Sequence, residues 1–322
     1  MTTLKSYDHG ASPVKLIGET VGAFFDRIAA AHAERPALIV RHQNIRWSYA
    51  ELAAKVNETA AGLLGVGLEP GDRVGIWAPN CAEWVLMQFA TAKAGLILVN
   101  INPAYRTAEL EYALNKVQCK ALVMAPALKS SDYVEMLYEL APELLRAAPL
   151  DLHCKRLPHL RAVIVLGERV HPGMLNFFAV PGWGQRDGGR RLAEIAPKLQ
   201  FDDPINIQFT SGTTGFPKGA TLTHRNIVNN GFFIGEAMRL TPDDRLCIPV
   251  PLYHCFGMVL GNLACVTHGA AIVYPAEAFD PLAVLQTVQD ERCTGLHGVP
   301  TMFIAELDHP QFGNFDQIGR AS

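Results

Sequence analysis

The sequence predicts an α/β protein in which mostly parallel sheets are flanked by helices. Short apolar runs typical of strands alternate with segments whose apolar residues recur at helical spacing. Parallel strands joined by crossover helices produce this alternation. At 322 residues the chain exceeds the usual size of one domain, which favours two. We expect a first α/β subdomain with an N-terminal helix and a hairpin over residues 1–200, and a second over 201–322.

The first elements follow from capping and periodicity. Thr20 precedes a segment with one apolar helical face, and the runs 37–40 and 45–47 are separated by polar residues, which indicates a hairpin. Ser48 and Glu51 have the spacing of a capping box before a helix that reaches Leu64.

The alternation then continues along the chain. We expect strands at 73–77, 96–100, 121–124 and 163–166, and helices from Ala82 and over 107–117. The stretch 170–199 is rich in glycine and arginine and is predicted to be a solvated loop, although Gly and Arg could also contact phosphate.

Composition excludes several classes of protein. The chain is 49% hydrophobic and 18% charged, which is typical of a globular protein, and its formal net charge is −3. No basic block interleaved with aromatic residues is present, so we expect no nucleic acid partner. No run is long and apolar enough for a transmembrane segment.

The N-terminus and the cysteines indicate a reducing compartment. Residues 1–20 lack the features of a secretory signal or a transit peptide, so a cytoplasmic location is expected. Seven cysteines without a CxxC pair predict reduced, mostly buried thiols. Cys255 follows His254, but adjacency in sequence is poor evidence for a catalytic dyad.

The segment TSGTTGFPKG, residues 210–219, is predicted to bind a polyphosphate. Glycines let backbone N–H groups approach phosphate oxygens, hydroxyl groups add donors, and Lys218 adds a positive charge. The predicted binding residues are Thr210, Ser211, Gly212, Thr213, Thr214, Gly215, Phe216, Pro217, Lys218 and Gly219. A Ser/Thr/Gly-rich surface turn without a ligand is the alternative.

The surroundings of this loop distinguish it from other nucleotide-binding loops. A Walker A loop needs Ser or Thr directly after its lysine, whereas Gly219 follows Lys218. Residues 205–209 alternate as in a strand, 220–222 resume a strand, and Thr223 is placed to cap a helix. The predicted order is therefore strand, loop, strand and helix.

TSGTTGFPKG followed by ATLTHRN resembles the phosphate loop of the adenylate-forming (AMP-binding) enzymes. The stretches WSYAEL, VGIWAPNCAEW, VNINPAYRTAELEYAL and LPHLRAVIVLGE resemble medium-chain or broad-range fatty acyl-CoA synthetases, up to about Asp316. Asn102, Pro103, Arg106 and Glu109 lie in this similarity and are interpreted as a turn, a cap and surface charges. The resemblance implies layered αβα subdomains of the N-terminal domain, with ATP, Mg²⁺ and coenzyme A as ligands.

The resemblance also implies roles for single residues. Residues 211–219 would hold the β- and γ-phosphates, Lys218 would neutralise pyrophosphate and Thr210 would help to hold Mg²⁺. PLYHCFGM, residues 251–258, resembles the segment at the carboxylate end of the substrate tunnel, where His254 would orient phosphate or carboxylate. A buried or capping histidine is the alternative for His254.

The same comparison indicates the substrate. The segment 253–256, YHCF, carries no carboxylate to pair with a substrate ammonium, which favours an apolar carboxylic acid such as a fatty acid. We expect Tyr253, His254, Gly298 and Val299 in the substrate pocket. The stretch 259–266 is either acyl pocket or a core helix.

The similarity ends where residues 317–322 read QIGRAS. A magnesium-ligating glutamate, a ribose-binding aspartate and a small domain with a catalytic lysine, all implied by the resemblance, are not found in the sequence. We therefore expect the chain as written to be a partial fatty acid–CoA ligase that is inactive alone. A non-catalytic nucleotide-binding or interaction protein is the alternative, and a homo-oligomer is left open.

Overall fold

The computed structural model describes residues 14–210 and 217–316. Its helices are α1 (Val21–Ala31), α2 (Tyr49–Gly65), α3 (Ala82–Ala94), α4 (Thr107–Lys116), α5 (Tyr133–Leu140), α6 (Val180–Trp183), α7 (Gly188–Ile195), α8 (His224–Met238), α9 (Ala264–His268), α10 (Pro281–Asp290) and α11 (Pro300–Leu307). A π-helix, Phe256–Leu263, leads directly into α9.

The strands are β1 (Pro36–Val40), β2 (Ile45–Ser48), β3 (Arg73–Trp77), β4 (Ile97–Asn100), β5 (Ala121–Met124), β6 (Ala127–Leu128), β7 (Ser131–Asp132), β8 (Ala162–Val165), β9 (Leu175–Asn176), β10 (Pro204–Thr210), β11 (Lys218–Thr223), β12 (Arg245–Cys247), β13 (Ala271–Tyr274) and β14 (Gly295–Leu296). These strands and helices confirm the α/β fold class.

The strands form two large sheets and a two-stranded hairpin, β6-β7. One large sheet has the order β11-β10-β4-β3-β5-β8-β9 and the other β14-β12-β13-β1-β2. Each is parallel apart from one antiparallel edge strand, β11 and β2 respectively. Both sheets take strands from each side of residue 200, so the boundary between the sheets does not coincide with the predicted division of the chain. Periodicity reports that a strand is buried but not which strand it pairs with.

The local predictions at helix starts are confirmed. The Ser48 hydroxyl accepts from Glu51 N at 3.2 Å while Ser48 N donates to the Glu51 carboxylate at 2.8 Å. Thr223 and Asn226 form the same reciprocal arrangement at the start of α8. These bonds satisfy backbone N–H groups that have no partner within the helix, and they fix where each helix begins.

The core is built around α3, whose residues are buried on nearly every side. The Phe89 ring of α3 stacks on Phe25 of α1 with centroids 4.6 Å apart. A helix without a solvent-facing stripe is typical of the interior of a large domain. No helix in the described ranges is long and apolar enough to cross a membrane.

The prediction of a solvated loop over 170–199 is wrong, because α6 and α7 lie there and pack on α2. A Cβ added at Gly184 or Gly188 would come within 2.7 Å or 2.5 Å of the Ala61 backbone. Arg191 donates to the Leu64 carbonyl at 2.6 Å. These glycines and this arginine therefore allow the helices to pack closely. Local sequence does not show whether such glycines belong to a loop or to closely packed helices.

The cysteines behave as predicted. All seven are free thiols, six of them are buried, and Cys255 is half-buried. Among the described residues, no group of three or more His, Cys, Asp or Glu side chains is placed to hold a metal ion.

Candidate functional site

The two ends of the predicted phosphate loop face each other across a hairpin. Strands β10 and β11 pair antiparallel, and Thr210 is opposite Lys218 in the last pair of the register. The Thr210 hydroxyl lies 3.5 Å from the Lys218 carbonyl oxygen, and both residues are exposed. The predicted residues Ser211, Gly212, Thr213, Thr214, Gly215 and Phe216 lie outside the described residues.

The far end of the loop is held against the sheet and α4. The Tyr112 hydroxyl donates to the Pro217 carbonyl at 3.1 Å. At Gly219, an added Cβ would lie 3.2 Å from the Ile207 side chain of the paired strand. Any larger residue at position 219 would therefore crowd the hairpin just after Lys218.

The second predicted segment follows β12 and is fixed by side chains from the other sheet. The Asn80 amide donates to the Val250 carbonyl at 3.0 Å and accepts from Leu252 N at 2.9 Å. The Asn100 amide donates to the Tyr253 carbonyl at 3.1 Å. Asn100 ends β4 and pairs in register with Gln208 of β10. The phosphate-loop hairpin and the His254 segment therefore meet at one edge of the sheets.

This edge is formed by the carboxyl ends of parallel strands in both sheets. Ligands of open α/β sheets bind at this end of the strands. The predicted phosphate loop follows β10, and the His254 segment follows β12. Residues of both the predicted phosphate loop and the His254 segment can therefore contribute to one site.

His254 is exposed and has a defined tautomer. Its Nδ1 accepts the backbone N–H of Phe256 at 3.1 Å. Because a backbone N–H can only donate, Nδ1 carries no proton and the neutral ring must carry it on Nε2. The ring accepts the N–H of the first π-helical residue, as the alternative of a capping histidine expects, but it is exposed rather than buried, and its role stays a prediction. Among the described residues the Nε2–H has no hydrogen-bond partner, so it is available to donate to an anion.

Cys255 lies beside this ring, with its Sγ 3.7 Å from His254 Nδ1. The Nδ1 lone pair already accepts from Phe256, so the contact does not organise a nucleophile in the way a catalytic dyad requires.

A cavity of about 400 Å³ opens at the same edge. Its lining includes Asn80, Asn102, Lys129, Tyr253, Phe279 and Met302. Tyr253 is thus the one of the four predicted pocket residues that lines this cavity. A volume in this range suits a small organic ligand.

Gly298 and Val299, the other two predicted pocket residues, lie between β14 and α11 and do not line this cavity. The neighbouring His297 ring packs against Phe256 with centroids 4.9 Å apart, and its Nε2 lies 3.0 Å from the Leu260 carbonyl. Burial lowers the pKa of His297, so the ring is neutral and donates to that carbonyl near neutral pH. Val299 precedes α11 and is 39% exposed.

The stretch 259–266 is helical and buried, with the π-helix preceding α9. The stretch therefore packs as the core-helix interpretation predicts. Gln88 of α3 donates to the Met258 carbonyl at 3.1 Å and accepts from Asn262 at 2.8 Å. Short π-helical segments occur frequently at functional sites because their widened turn leaves carbonyls for other donors.

The site contains residues that sequence reasoning missed. Asn80, Asn100 and Lys129 were not predicted there, and Asn102 was interpreted as part of a turn, which its 2.9 Å bond from Ala104 N confirms. The available signal was the pair of asparagines directly after the apolar strand residues of VNIN. A polar residue at the carboxyl end of a predicted parallel strand indicates a site.

The fold and the sequence together place the chain in a known family. The chain belongs to the AMP-binding enzyme family, whose profile matches residues 25–320. It is 45% identical over 317 residues to the mitochondrial medium-chain acyl-CoA ligase ACSF2 of Danio rerio and 44% identical over 318 residues to that of Homo sapiens. These alignments cover 98% and 97% of this chain but 52% and 51% of those proteins. The chain spans about half the length of these relatives.

Solved structures show the same fold. The anthranilate CoA ligase AuaEII in complex with anthranoyl-AMP superimposes with a TM-score of 0.78 at 23% identity, covering 94% of this chain and 54% of that one. ATP-bound MatB from Rhodopseudomonas palustris superimposes with a TM-score of 0.70 at 27% identity, covering 89% and 51%. The layered, mostly parallel sheets are those of the N-terminal domain of adenylate-forming enzymes.

Proposed function

We propose that this protein supplies the phosphate-binding half of a fatty acid–CoA ligase. The reaction would join the acid's carboxylate to the α-phosphate of ATP with release of pyrophosphate. The thiol of coenzyme A would then attack the acyl carbon, forming the thioester and releasing AMP. The hairpin that brings Thr210 opposite Lys218, at the edge that also carries His254, is the observation that supports this function most directly.

Charge is the main obstacle to the first step, because a carboxylate must approach an anionic phosphate. Lys218 would neutralise the departing pyrophosphate, and the Nε2–H of His254 would donate to the acid or the α-phosphate. Fixed donors act strongly where water is excluded, since they need not reorganise during the reaction. The reacting groups gain further from being held in position.

Mg²⁺ would be held mainly by the nucleotide. Within the described residues, acidic side chains do not cluster into a metal site, so Thr210 would add one hydroxyl oxygen to phosphate oxygens and water. This donor set fits Mg²⁺, which prefers hard oxygen ligands and keeps several waters. The ion would supply charge neutralisation on the phosphates.

The acid is proposed to be apolar. Tyr253 and Phe279 line the cavity together with Met302, and residues 253–256 carry no carboxylate for a substrate ammonium. The named activity of the ACSF2 relatives, medium-chain acyl-CoA ligase, supports the same class of substrate for this chain.

Acid-dependent exchange between ATP and pyrophosphate, measured on the longest expressed form of the protein, tests the proposal. We expect exchange that requires a fatty acid, and a loss of about 10²–10³-fold in Lys218→Ala. Lys198→Ala is the matched control, because Lys198 is also exposed but lies before β10. Equal rates in parent and Lys218→Ala would reject the role of Lys218. Nucleotide binding without exchange would favour a binding protein instead.

A further inference from the structure

Three buried amide side chains form a chain from the phosphate-loop strand to the segment that carries His254. Gln208 Nε2 donates to Asn206 Oδ1 at 2.9 Å, and Asn206 Nδ2 donates to Asn100 Oδ1 at 2.8 Å. Asn100 Nδ2 then donates to the Tyr253 carbonyl at 3.1 Å. Asn206 and Asn100 are 1% and 2% exposed. The central bond of this chain, between Asn206 and Asn100, is therefore shielded from water.

Asn100 is the member that crosses between the sheets. It ends β4 next to β10 in the seven-stranded sheet, whereas Tyr253 follows β12 of the five-stranded sheet. A buried amide is costly unless both its oxygen and its nitrogen are bonded, and both are bonded here. An apolar residue would fill the position without that requirement, so packing alone does not explain an amide.

The same side chain reaches the start of the π-helix. Asn100 Nδ2 lies 3.4 Å from the Met258 sulfur, and the Met258 carbonyl accepts from Gln88. The segment between Tyr253 and Met258 is thus held at both ends, by Asn100 of the seven-stranded sheet and by Gln88 of α3. His254 lies between these two points.

We infer that Asn100 is a positioning residue that sets where the Tyr253–His254 segment stands relative to the phosphate-binding end of β10. The consequence for catalysis rests on the proposed function, but the positioning itself does not. A buried, fully bonded polar network specifies one arrangement, because any shift leaves a donor or acceptor without a partner.

Cys255 provides a direct measure of this positioning. It is half-buried next to His254, while the six other cysteines are buried and report unfolding. Alkylation by iodoacetamide is followed for each cysteine by peptide mass spectrometry. One sample then gives both the alkylation rate of Cys255 and the alkylation rates of the buried cysteines. In Asn100→Leu we expect Cys255 to react at least about threefold faster than in the parent, with the buried thiols unchanged.

Asn229→Leu is the matched control. Asn229 is also a buried amide, and it bonds Ile17 N at 2.7 Å and the Ile17 carbonyl at 3.0 Å, outside the amide chain. We expect this variant to leave the Cys255 rate at the parent value. Asn100→Ala replaces Asn100→Leu if the larger side chain prevents folding.

Steady-state exchange kinetics provide the second readout. Asn100→Leu should lower kcat by about tenfold or more while the KM for ATP changes little, because the β10–β11 hairpin keeps its own hydrogen bonds. The inference would be overturned if Asn100→Leu had the same Cys255 alkylation rate and the same kcat as Asn229→Leu. If the parent shows no exchange, the proposed function fails, and the alkylation comparison still decides the role of Asn100.

Discussion

Thr210 and Lys218 are directly opposite each other at the loop end of the β10–β11 hairpin, with the Thr210 hydroxyl 3.5 Å from the Lys218 carbonyl oxygen. The hairpin register therefore determines the separation of the two residues that border the loop. A proposed metal ligand and a proposed phosphate ligand are held at the mouth of one loop, which leads to the first prediction.

Replacing Thr210 by Val should weaken the response to Mg²⁺ while keeping the β-branched shape that suits a strand. We expect the Mg²⁺ concentration for half-maximal exchange to rise by about tenfold. Thr221→Val is the control, since Thr221 is also exposed but lies within β11, opposite Ile207. A Mg²⁺ titration that is unchanged in Thr210→Val would contradict the assignment.

His254 accepts the Phe256 N–H through Nδ1 and has an Nε2–H without a partner among the described residues, and two substitutions separate these two features. His254→Ala removes both and should lower kcat by about 10²-fold. His254→Asn can still accept the Phe256 N–H through its side-chain oxygen but lacks the imidazole. We expect the Asn variant to stay as slow as the Ala variant. Recovery of activity in His254→Asn would show that capping is the only role of the ring.

Gly257 allows the π-helix to approach the His254 segment. A Cβ at this position would lie 2.5 Å from the Pro251 carbonyl oxygen and 2.8 Å from its carbon, and backbone atoms cannot move aside easily. Gly257→Ala should therefore lower the free energy of unfolding by about 1–3 kcal/mol. Denaturant unfolding measures this change. Gly182→Ala, which meets no atom within 4 Å, should change stability much less.

His224 should make stability depend on pH. Burial lowers its pKa to about 4, and its Nδ1 accepts the Val21 N–H at 3.1 Å. The unfolded chain binds a proton at the ordinary pKa of about 6.5, so this contribution is present above that pH and is lost as the pH falls towards 4. His224→Gln should flatten the decline in the free energy of unfolding between these values. A slope identical to the parent's would exclude His224 as its source.

Local sequence was sufficient for the elements that depend on near neighbours. The capping box at Ser48, the N-cap at Thr223 and the hairpin formed by the runs 37–40 and 45–47 agree with the structure. Each depends on hydrogen bonds or alternation within a few residues, which a sequence displays directly. The predicted position of the phosphate loop between two strands agrees with the hairpin for the same reason.

Elements that depend on distant partners could not be predicted in this way. The glycines of 170–199 indicated a loop, yet Gly184 and Gly188 allow helices to pack on Ala61. Asn100 gave no sign that its amide would reach Tyr253, 153 residues further along the chain. The role of a side chain in such cases is set by what the fold brings against it.

The sequence by itself determined the family, the α/β class and the pair of strands on either side of the predicted phosphate loop, because these depend on contiguous residues and on their spacing. Only the tertiary structure decided that both sheets join segments from each side of residue 200 and that Asn100 connects the two motifs. The physical reason is that strand periodicity encodes burial, whereas pairing between strands and bonding between buried amides depend on three-dimensional proximity.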